Sequence, residues 1–228
     1  MSGCYSRRQD AAAEHNNRGN RLYERGDLDR AIAEFDKAIA INPNQPRYYF
    51  NRGNAHKDKK EIEQAISDYD KAISMDAKIP DVYDNRGIAR TSKGDLDGAI
   101  SDFTIAITLN PNQVNAYNNR GYARQERGEL DSALADYEKA ITLNPNDAYF
   151  YNNRGSVRRM KGDPSGARSD LNKSIALDPK NAETYCNLGL VDLSQGNNEA
   201  ANLNFSKCYA LDAGLRPKFE KLASGIKR

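Results

Sequence analysis

The sequence has few of the residues on which compact or cross-linked folds depend. Its 228 residues include no tryptophan, three methionines and three cysteines. It has no run of 18 apolar residues, which is about the least that a membrane-spanning helix needs. The 34 basic and 32 acidic residues give a net charge of +2. This balance provides no basic surface of the kind that binds nucleic acid or an acidic membrane.

The three cysteines, Cys4, Cys186 and Cys208, are an odd number without the spacing of a disulfide framework. We therefore expect no disulfide-built fold, and we expect Cys208 to be a small core residue. Ser2-Gly3-Cys4 resembles the end of a bacterial lipoprotein signal, although the preceding apolar run is missing. A lipid anchor at Cys4 would place the chain at the bacterial envelope, and the alternative is the cytoplasm. We expect residues 1–11 to be a flexible polar lead-in.

A strict period of 34 residues runs through the chain. Glycine recurs at this spacing as Gly19, Gly53, Gly87, Gly121, Gly155 and Gly189. Asparagine stands two residues before each glycine, as Asn17, Asn51, Asn85, Asn119, Asn153 and Asn187. An aromatic ring stands four residues before the glycine, a large apolar residue 16 after it, and small residues 12 and 19 after it. Such columns predict a tandem array of one repeated structural unit.

Each repeat has the pattern of two helices joined by a turn. Residues 28–41 place apolar side chains at helical spacing, and Asn42-Pro43 predicts the end of that helix. Gly26-Asp27 predicts the turn inside the first repeat, with Asp27 as helix cap, whereas Lys60-Glu61 breaks this rule in the second. The predicted repeats are 12–45, 46–79, 80–113, 114–147, 148–181 and 182–215, followed by a capping helix over 216–228.

These columns resemble the tetratricopeptide repeat (TPR) family. The fourth repeat carries the family residues as Tyr117, Gly121, Ala133, Tyr137, Ala140 and Pro145. The resemblance implies an all-α, right-handed superhelical solenoid whose concave face is lined by the first helix of each repeat. It also implies binding to peptides or other proteins. We interpret the strict Asn-Arg-Gly repeats as bacterial.

Two columns depart from the family pattern. The residue before the glycine is arginine in five repeats, and an acid stands 15 residues after the glycine in the same five. The sixth repeat changes both at once, to Leu188 and Asn204. We therefore predict ion pairs between the columns, for example Arg86 with Asp102 or Asp68, because a half-buried arginine needs a partner. The alternative is two independent, solvated charge columns.

The asparagine column is the main candidate for function. An amide donates and accepts hydrogen bonds at once, so a row of amides can hold a peptide main chain whatever its side chains are. The alternative is that these amides bond to neighbouring helices and orient the stack. The residues predicted to bind peptide on the concave face are Asn17, Asn51, Asn85, Asn119, Asn153, Asn187, Phe50, Asn54, Tyr122, Tyr149 and Arg159.

Signals for catalysis are missing from the sequence. His15 and His56 belong to different columns, and no phosphate loop, metal-spaced Cys/His set or nucleophile motif is present. We predict a non-catalytic scaffold without cofactor, metal or nucleic-acid partner, which binds a peptide or a partner protein. Some TPR domains clamp a terminal carboxylate with lysines, but Asn16 and Asp81 are among the residues at those positions here. The alternative function is self-assembly into a homo-oligomer.

Overall fold

A computed structural model describes residues 2–226, with side chains from residue 9 onward. This part of the chain contains thirteen α-helices, one short 3₁₀ turn over Ala213–Leu215, and no strand. The helices are α1 Ser2–Glu24, α2 Leu28–Ile41, α3 Pro46–Asp58, α4 Ile62–Met75, α5 Pro80–Lys93, α6 Leu96–Leu109, α7 Val114–Glu126, α8 Leu130–Leu143, α9 Ala148–Met160, α10 Pro164–Leu177, α11 Ala182–Ser194, α12 Asn198–Leu211 and α13 Arg216–Ser224.

The chain forms two compact units, residues 1–116 and residues 117–228. The helices of the first unit pack in sequence order, from α1 against α2 to α5 against α6. In the second unit α8, α9, α10, α11 and α12 pack in the same order, and α13 packs on α11. Each unit is therefore a tandem stack of helix–turn–helix pairs, as the 34-residue period predicts.

The N-terminal segment differs from our expectation of a flexible lead-in over residues 1–11. Helix α1 already begins at Ser2, ten residues before the first predicted repeat. Ala12 is fully buried against Ala38 and Tyr48. The alternative of a lipid anchor concerns the side chain of Cys4, which lies outside the described side chains.

The turns inside the repeats follow the glycine prediction. Gly26, Gly94, Gly128, Gly162 and Gly196 all have positive φ, between 76° and 84°. Glycine reaches this left-handed conformation without the steric penalty of a Cβ atom. In the second repeat, where glycine is missing, Lys60 adopts a φ of 66° and is the only non-glycine with positive φ among the described residues.

The predicted helix caps are found in part. Asp95 accepts a hydrogen bond from the Gly98 amide at 3.0 Å, and Asp163 accepts one from the Gly166 amide at 2.8 Å. Asp27 makes no such bond and pairs with Arg30 instead. The side-chain capping predicted for this column is therefore wrong for Asp27.

The small columns allow the two helices of a repeat to approach closely. A Cβ atom added at Gly87 would lie 2.7 Å from the ring of Phe103. The ring is 1% exposed, and Ala99 and Ala106 on the same helix are fully buried. Burying one such ring contributes about 1.5–3 kcal/mol. A glycine packed against a large ring recurs in five of the six helix pairs, and in the fifth repeat Leu171 takes the place of the ring.

The sixth repeat contains a disulfide that we did not expect. Cys186 on α11 and Cys208 on α12 are bonded, with 5.3 Å between their Cα atoms. Cys208 is fully buried, as predicted, but it is not a free thiol. The bond joins the two helices of one repeat and closes a segment with a sequence separation of 22.

Within residues 2–226, no helix combines the length and the apolar character that crossing a membrane requires.

Candidate functional site

The arginine before each repeat glycine pairs with the acid of the following helix. Arg86 contacts Asp102 through Nη2 at 2.6 Å and Nε at 2.9 Å, and Asp102 is 1% exposed. The predicted pair is therefore confirmed within the third repeat. The suggested partner in the second repeat, Asp68, is wrong, because Arg86 reaches the exposed Asp70 there, at 2.5 Å. The equivalent pairs are Arg52–Asp68, Arg120–Asp136 and Arg154–Asp170.

A second cation, which the sequence reasoning missed, binds the same acid in three repeats. The Arg90 side chain lies 2.9 Å from Asp102, so this carboxylate is held between two guanidinium groups. The equivalent contacts are Arg124–Asp136 and Arg158–Asp170. The signal was present in the sequence as a recurring spacing of 12 residues between cation and acid. These contacts neutralise the buried carboxylate inside the helix pair, so that this carboxylate is not available to bind a ligand.

The sixth repeat replaces this ion pair by other contacts. Leu188 stands in the arginine column and is buried, and Asn204 stands in the acid column. Asp192 accepts a hydrogen bond from Asn204 at 2.7 Å and pairs with Arg168 at 2.8 Å. The acid has thus moved from the second helix to the first, and its cation comes from the preceding repeat.

The pKa shifts in the arginine and acid columns follow from the ion pairs that these residues form. Hydrogen bonds to Asp170 raise the pKa of Arg154, and hydrogen bonds to Asp68 raise that of Arg52. In the first repeat, hydrogen bonds from His15 and then Lys37 lower the pKa of Glu34 to about 2. Glu34 is therefore ionised at neutral pH and, like the paired acids of the other repeats, serves the architecture.

The asparagine column bonds largely to the preceding repeat. Asn51 donates to Asn16 at 2.8 Å, Asn153 to Asn118 at 3.0 Å, and Asn187 to Asn152 at 2.9 Å. In the third repeat Asn85 instead accepts a hydrogen bond from Lys57 and donates to the Asp81 carbonyl. Such bonds fit the alternative in which the amides orient the stack. Each NH₂ group carries two donors. Asn51 uses its second donor on Asn20 at 3.1 Å, whereas Asn153 and Asn187 each make a single donated bond.

Four other predicted site residues, Phe50, Asn54, Asn17 and Tyr149, contact their own repeat or solvent. Phe50 is half-buried with its ring centroid 6.1 Å from that of Tyr69, and Asn54 accepts a hydrogen bond from the Tyr69 hydroxyl at 2.8 Å. Asn17 is exposed, as is Tyr149 at the start of α9, and Asn119 is half-buried. None of these five lines the cavity that Tyr122 and Arg159 line in the second unit.

A cavity of about 580 Å³ in the second unit brings four predicted residues together. These are Tyr122, Asn153, Arg159 and Asn187. Its walls come from α7, α9 and α11, which are the first helices of repeats four to six, and from α13 with Gly225. No lining residue comes from α8, α10 or α12. The contribution of α13 was not predicted, because the sequence indicated only that this helix covers the end of the array.

One side of the cavity is formed by large apolar side chains that are exposed to solvent. Tyr122, Met160 and Leu222 are 44%, 46% and 43% exposed, and all three line it. They are three of the eight large apolar residues exposed in the part of the chain described. Phe219 also lines the cavity, although its own ring is 1% exposed. Exposed apolar groups that gather in one concave place mark a binding surface more strongly than scattered ones.

The charged groups of the cavity are Arg159, Lys218, Lys221, Glu126 and Glu183, with one more cation than anions. Lys218 and Glu183 form an ion pair, with 2.6 Å between Nζ and Oε1, and so neutralise each other. The half-buried Arg159 pairs with no acid among the described side chains of residues 9–226, and its shielded Nε has no acceptor there. Burial lowers the pKa of Arg159.

Comparison with known families matches the chain to two repeat descriptions. Models described as "TPR repeat" match residues 19–60 and 87–126. Models described as "Tetratricopeptide repeat" match residues 46–78, 114–147 and 136–169. No curated protein sequence matches the chain.

Solved structures share the fold over most of the chain. PilF of Pseudomonas aeruginosa is 19% identical, with a TM-score of 0.79 over 95% of this chain and 98% of its own. MamA is 25% identical, with a TM-score of 0.67 over 76% of this chain and 95% of its own. The first TPR domain of Spaghetti (RPAP3), solved with the HSP90 peptide SRMEEVD, is 27% identical. Its TM-score is 0.52 over 53% of this chain and 95% of its own.

The helix pairs, the glycine and aromatic columns and the family matches agree with one another. TPR proteins are in general non-catalytic scaffolds for protein interaction. The chain belongs to the tetratricopeptide repeat family and is an all-α scaffold of this protein-interaction type.

Proposed function

We propose that the chain binds an extended peptide segment of a partner protein in the cavity of its second unit. The observation that carries this proposal is the meeting of Tyr122, Asn153, Arg159 and Asn187 on the first helices of repeats four to six. These residue types offer an aromatic face, two amides and a guanidinium within one concave site. Aromatic and arginine side chains often dominate the binding energy at protein interfaces.

The size and chemistry of the cavity fit a short stretch of peptide. A volume of about 580 Å³ is within the range of sites that enclose small ligands. Asn187 donates one hydrogen bond to Asn152, so its second amide hydrogen and its carbonyl oxygen can serve a peptide main chain. The exposed side chains of Tyr122, Met160 and Leu222 can cover apolar side chains of the ligand.

A library of acetylated and amidated nonapeptides, selected on the full chain, tests this function. We expect Tyr122→Ala and Leu222→Ala each to weaken the binding of selected peptides about tenfold, measured by fluorescence anisotropy. That loss corresponds to about 1.4 kcal/mol of contact energy. Both side chains are substantially exposed, so truncation should leave the fold intact.

Leu203→Ala is the matched control, because Leu203 is 72% exposed on α12 and does not line the cavity. Its affinity for the selected peptides should equal that of the wild type. Equal affinities for all three variants would contradict the assignment of this cavity. Self-assembly, the alternative suggested by the sequence, predicts instead a mass that rises with concentration in light scattering.

A further inference from the structure

Arg159 differs from the other half-buried arginines of the second unit. Arg120, Arg124, Arg154, Arg158 and Arg168 each have a carboxylate oxygen within 2.9 Å. Arg159 has no such partner among the described residues. The Nε of Arg124 also lacks an acceptor, but its Nη1 is bound to Asp136 at 2.8 Å. Only Arg159 of these six therefore keeps its charge free of an ion pair.

An unpartnered guanidinium is costly where it is removed from water. A shielded N–H without an acceptor loses its bonds to water and gains nothing in return. Burial correspondingly lowers the pKa of Arg159, whereas hydrogen bonds to Asp170 raise that of Arg154 on the same helix. Groups held in this state are commonly completed by a ligand. The ligand group that matches a guanidinium in charge and shape is a carboxylate.

We propose that Arg159 binds the carboxylate of an Asp or Glu side chain within the extended peptide segment that occupies this cavity. The inference rests on the proposed peptide-binding function and specifies its ligand. Lys221 adds positive charge at the same cavity, and Glu183 is already neutralised by Lys218. Glu126 is the remaining acid and forms no ion pair with Arg159.

The position of Arg159 on α9 favours a side chain over a chain terminus. Arg159 lies six residues after Asn153, about 9 Å farther along the helix axis at 1.5 Å per residue. A peptide main chain that bonds to the Asn153 and Asn187 amides therefore passes beside Arg159. An acidic side chain of the peptide then spans the distance from that main chain to the guanidinium group. Alternate side chains of an extended segment point the same way. Apolar residues two positions from the acid then contact Tyr122, Met160 and Leu222.

Matched peptides test the acid directly. A selected nonapeptide with a central Glu is compared with its Glu→Gln counterpart, both acetylated and amidated so that neither carries a terminal carboxylate. On the wild-type chain at low salt, we expect the Glu peptide to bind at least tenfold more tightly. In Arg159→Gln the ratio should fall below about threefold, which is within the range of exposed charge effects.

Lys173→Gln removes one positive charge from an exposed residue of α10 and should keep the tenfold ratio. Equal binding of the Glu and Gln peptides, with both lost in Tyr122→Ala, would overturn the role of Arg159 and leave the proposed function standing. A third peptide, the Gln form with a free terminal carboxylate, should bind no better than its amidated form. Recovery of tight binding by this peptide would overturn the side-chain assignment. If no library peptide binds the chain, both proposals fail.

A measurement without ligand gives a second test. Replacing Arg159 with Met removes an uncompensated charge and retains an unbranched side chain. We expect the Tm of the free chain to rise by about 2–4 °C. A matched change at a paired arginine, Arg154→Met, should lower the Tm, because it leaves the 4% exposed Asp170 with one cation instead of two. A lower Tm for Arg159→Met would show a structural role and overturn the proposal.

Discussion

The third and sixth repeats each hold their own two helices together, but by different interactions. In the third repeat, Arg86 and Arg90 on the first helix enclose Asp102 on the second. In the sixth, Leu188 replaces the arginine and a disulfide joins Cys186 to Cys208. The backbone arrangement survives this exchange. The ion pair is therefore one means of fixing a helix pair whose packing depends on the glycine and aromatic columns.

The largest expected effect comes from removing the shared acid of the third repeat. Asp102→Ala leaves two guanidinium groups beside an apolar core without their carboxylate. We expect a loss of about 3–5 kcal/mol in the free energy of unfolding, measured by urea denaturation. Glu24→Ala, at an exposed residue that ends α1, should change stability by less than about 0.5 kcal/mol. Equal losses for the two variants would show that the pair is dispensable.

Asp95, another acid of this repeat, is unsuitable as an inert control. It is exposed, yet it caps α6 through the Gly98 amide and lies 3.6 Å from Arg90. Its replacement by alanine should itself cost about 1 kcal/mol through the lost cap.

Breaking the disulfide of the sixth repeat should have the next largest effect. For a closed segment of 22 residues, the entropy of the unfolded chain accounts for about 3 kcal/mol. We expect this loss when reductant is added to the wild-type chain, measured as a lower urea midpoint. The double variant Cys186→Ala/Cys208→Ala should be insensitive to reductant. A wild type that unfolds at the same urea concentration with and without reductant would exclude a stabilising bond.

The glycine column should give a smaller effect than the ion pair or the disulfide, and it allows the most direct comparison of the two repeats. Gly87→Ala places a Cβ atom 2.7 Å from the Phe103 ring, and Gly189→Ala places one 2.9 Å from the Phe205 ring. Overpacking of this kind costs about 1–3 kcal/mol. We expect Gly87→Ala to be the more damaging, because Phe103 is 1% exposed whereas Phe205 is half-buried and free to shift. A larger loss for Gly189→Ala would reverse this order.

The sequence predicted the elements that depend on local rules. The apolar pattern over residues 28–41 matches α2, Leu28–Ile41, because helical spacing and the following Asn42-Pro43 both act along the chain. The same rules missed the helical start of α1 at Ser2, since residues 1–11 have no repeat pattern to extend.

Contacts between helices were predicted less well. The spacing of the charge columns indicated Arg86 with Asp102, but it did not separate Asp68 from Asp70 as the second partner. Only the fold brings Cys186 beside Cys208, because the two lie on opposite helices of one pair. The state of Arg159 was likewise hidden, since the absence of a nearby acid is a property of three dimensions.

Phe219 stands 34 residues after Tyr185 and is buried like it, so α13 continues the aromatic column as half a repeat. The same helix supplies Lys218, Lys221 and Leu222 to the cavity wall. Shortening the array at Arg216 would therefore remove part of the proposed recognition surface together with the helix that covers the end of the array. On the proposed function, grafting a different terminal helix onto this array would change which sequences it selects, while the six preceding helices of the second unit, α7 to α12, stay unchanged.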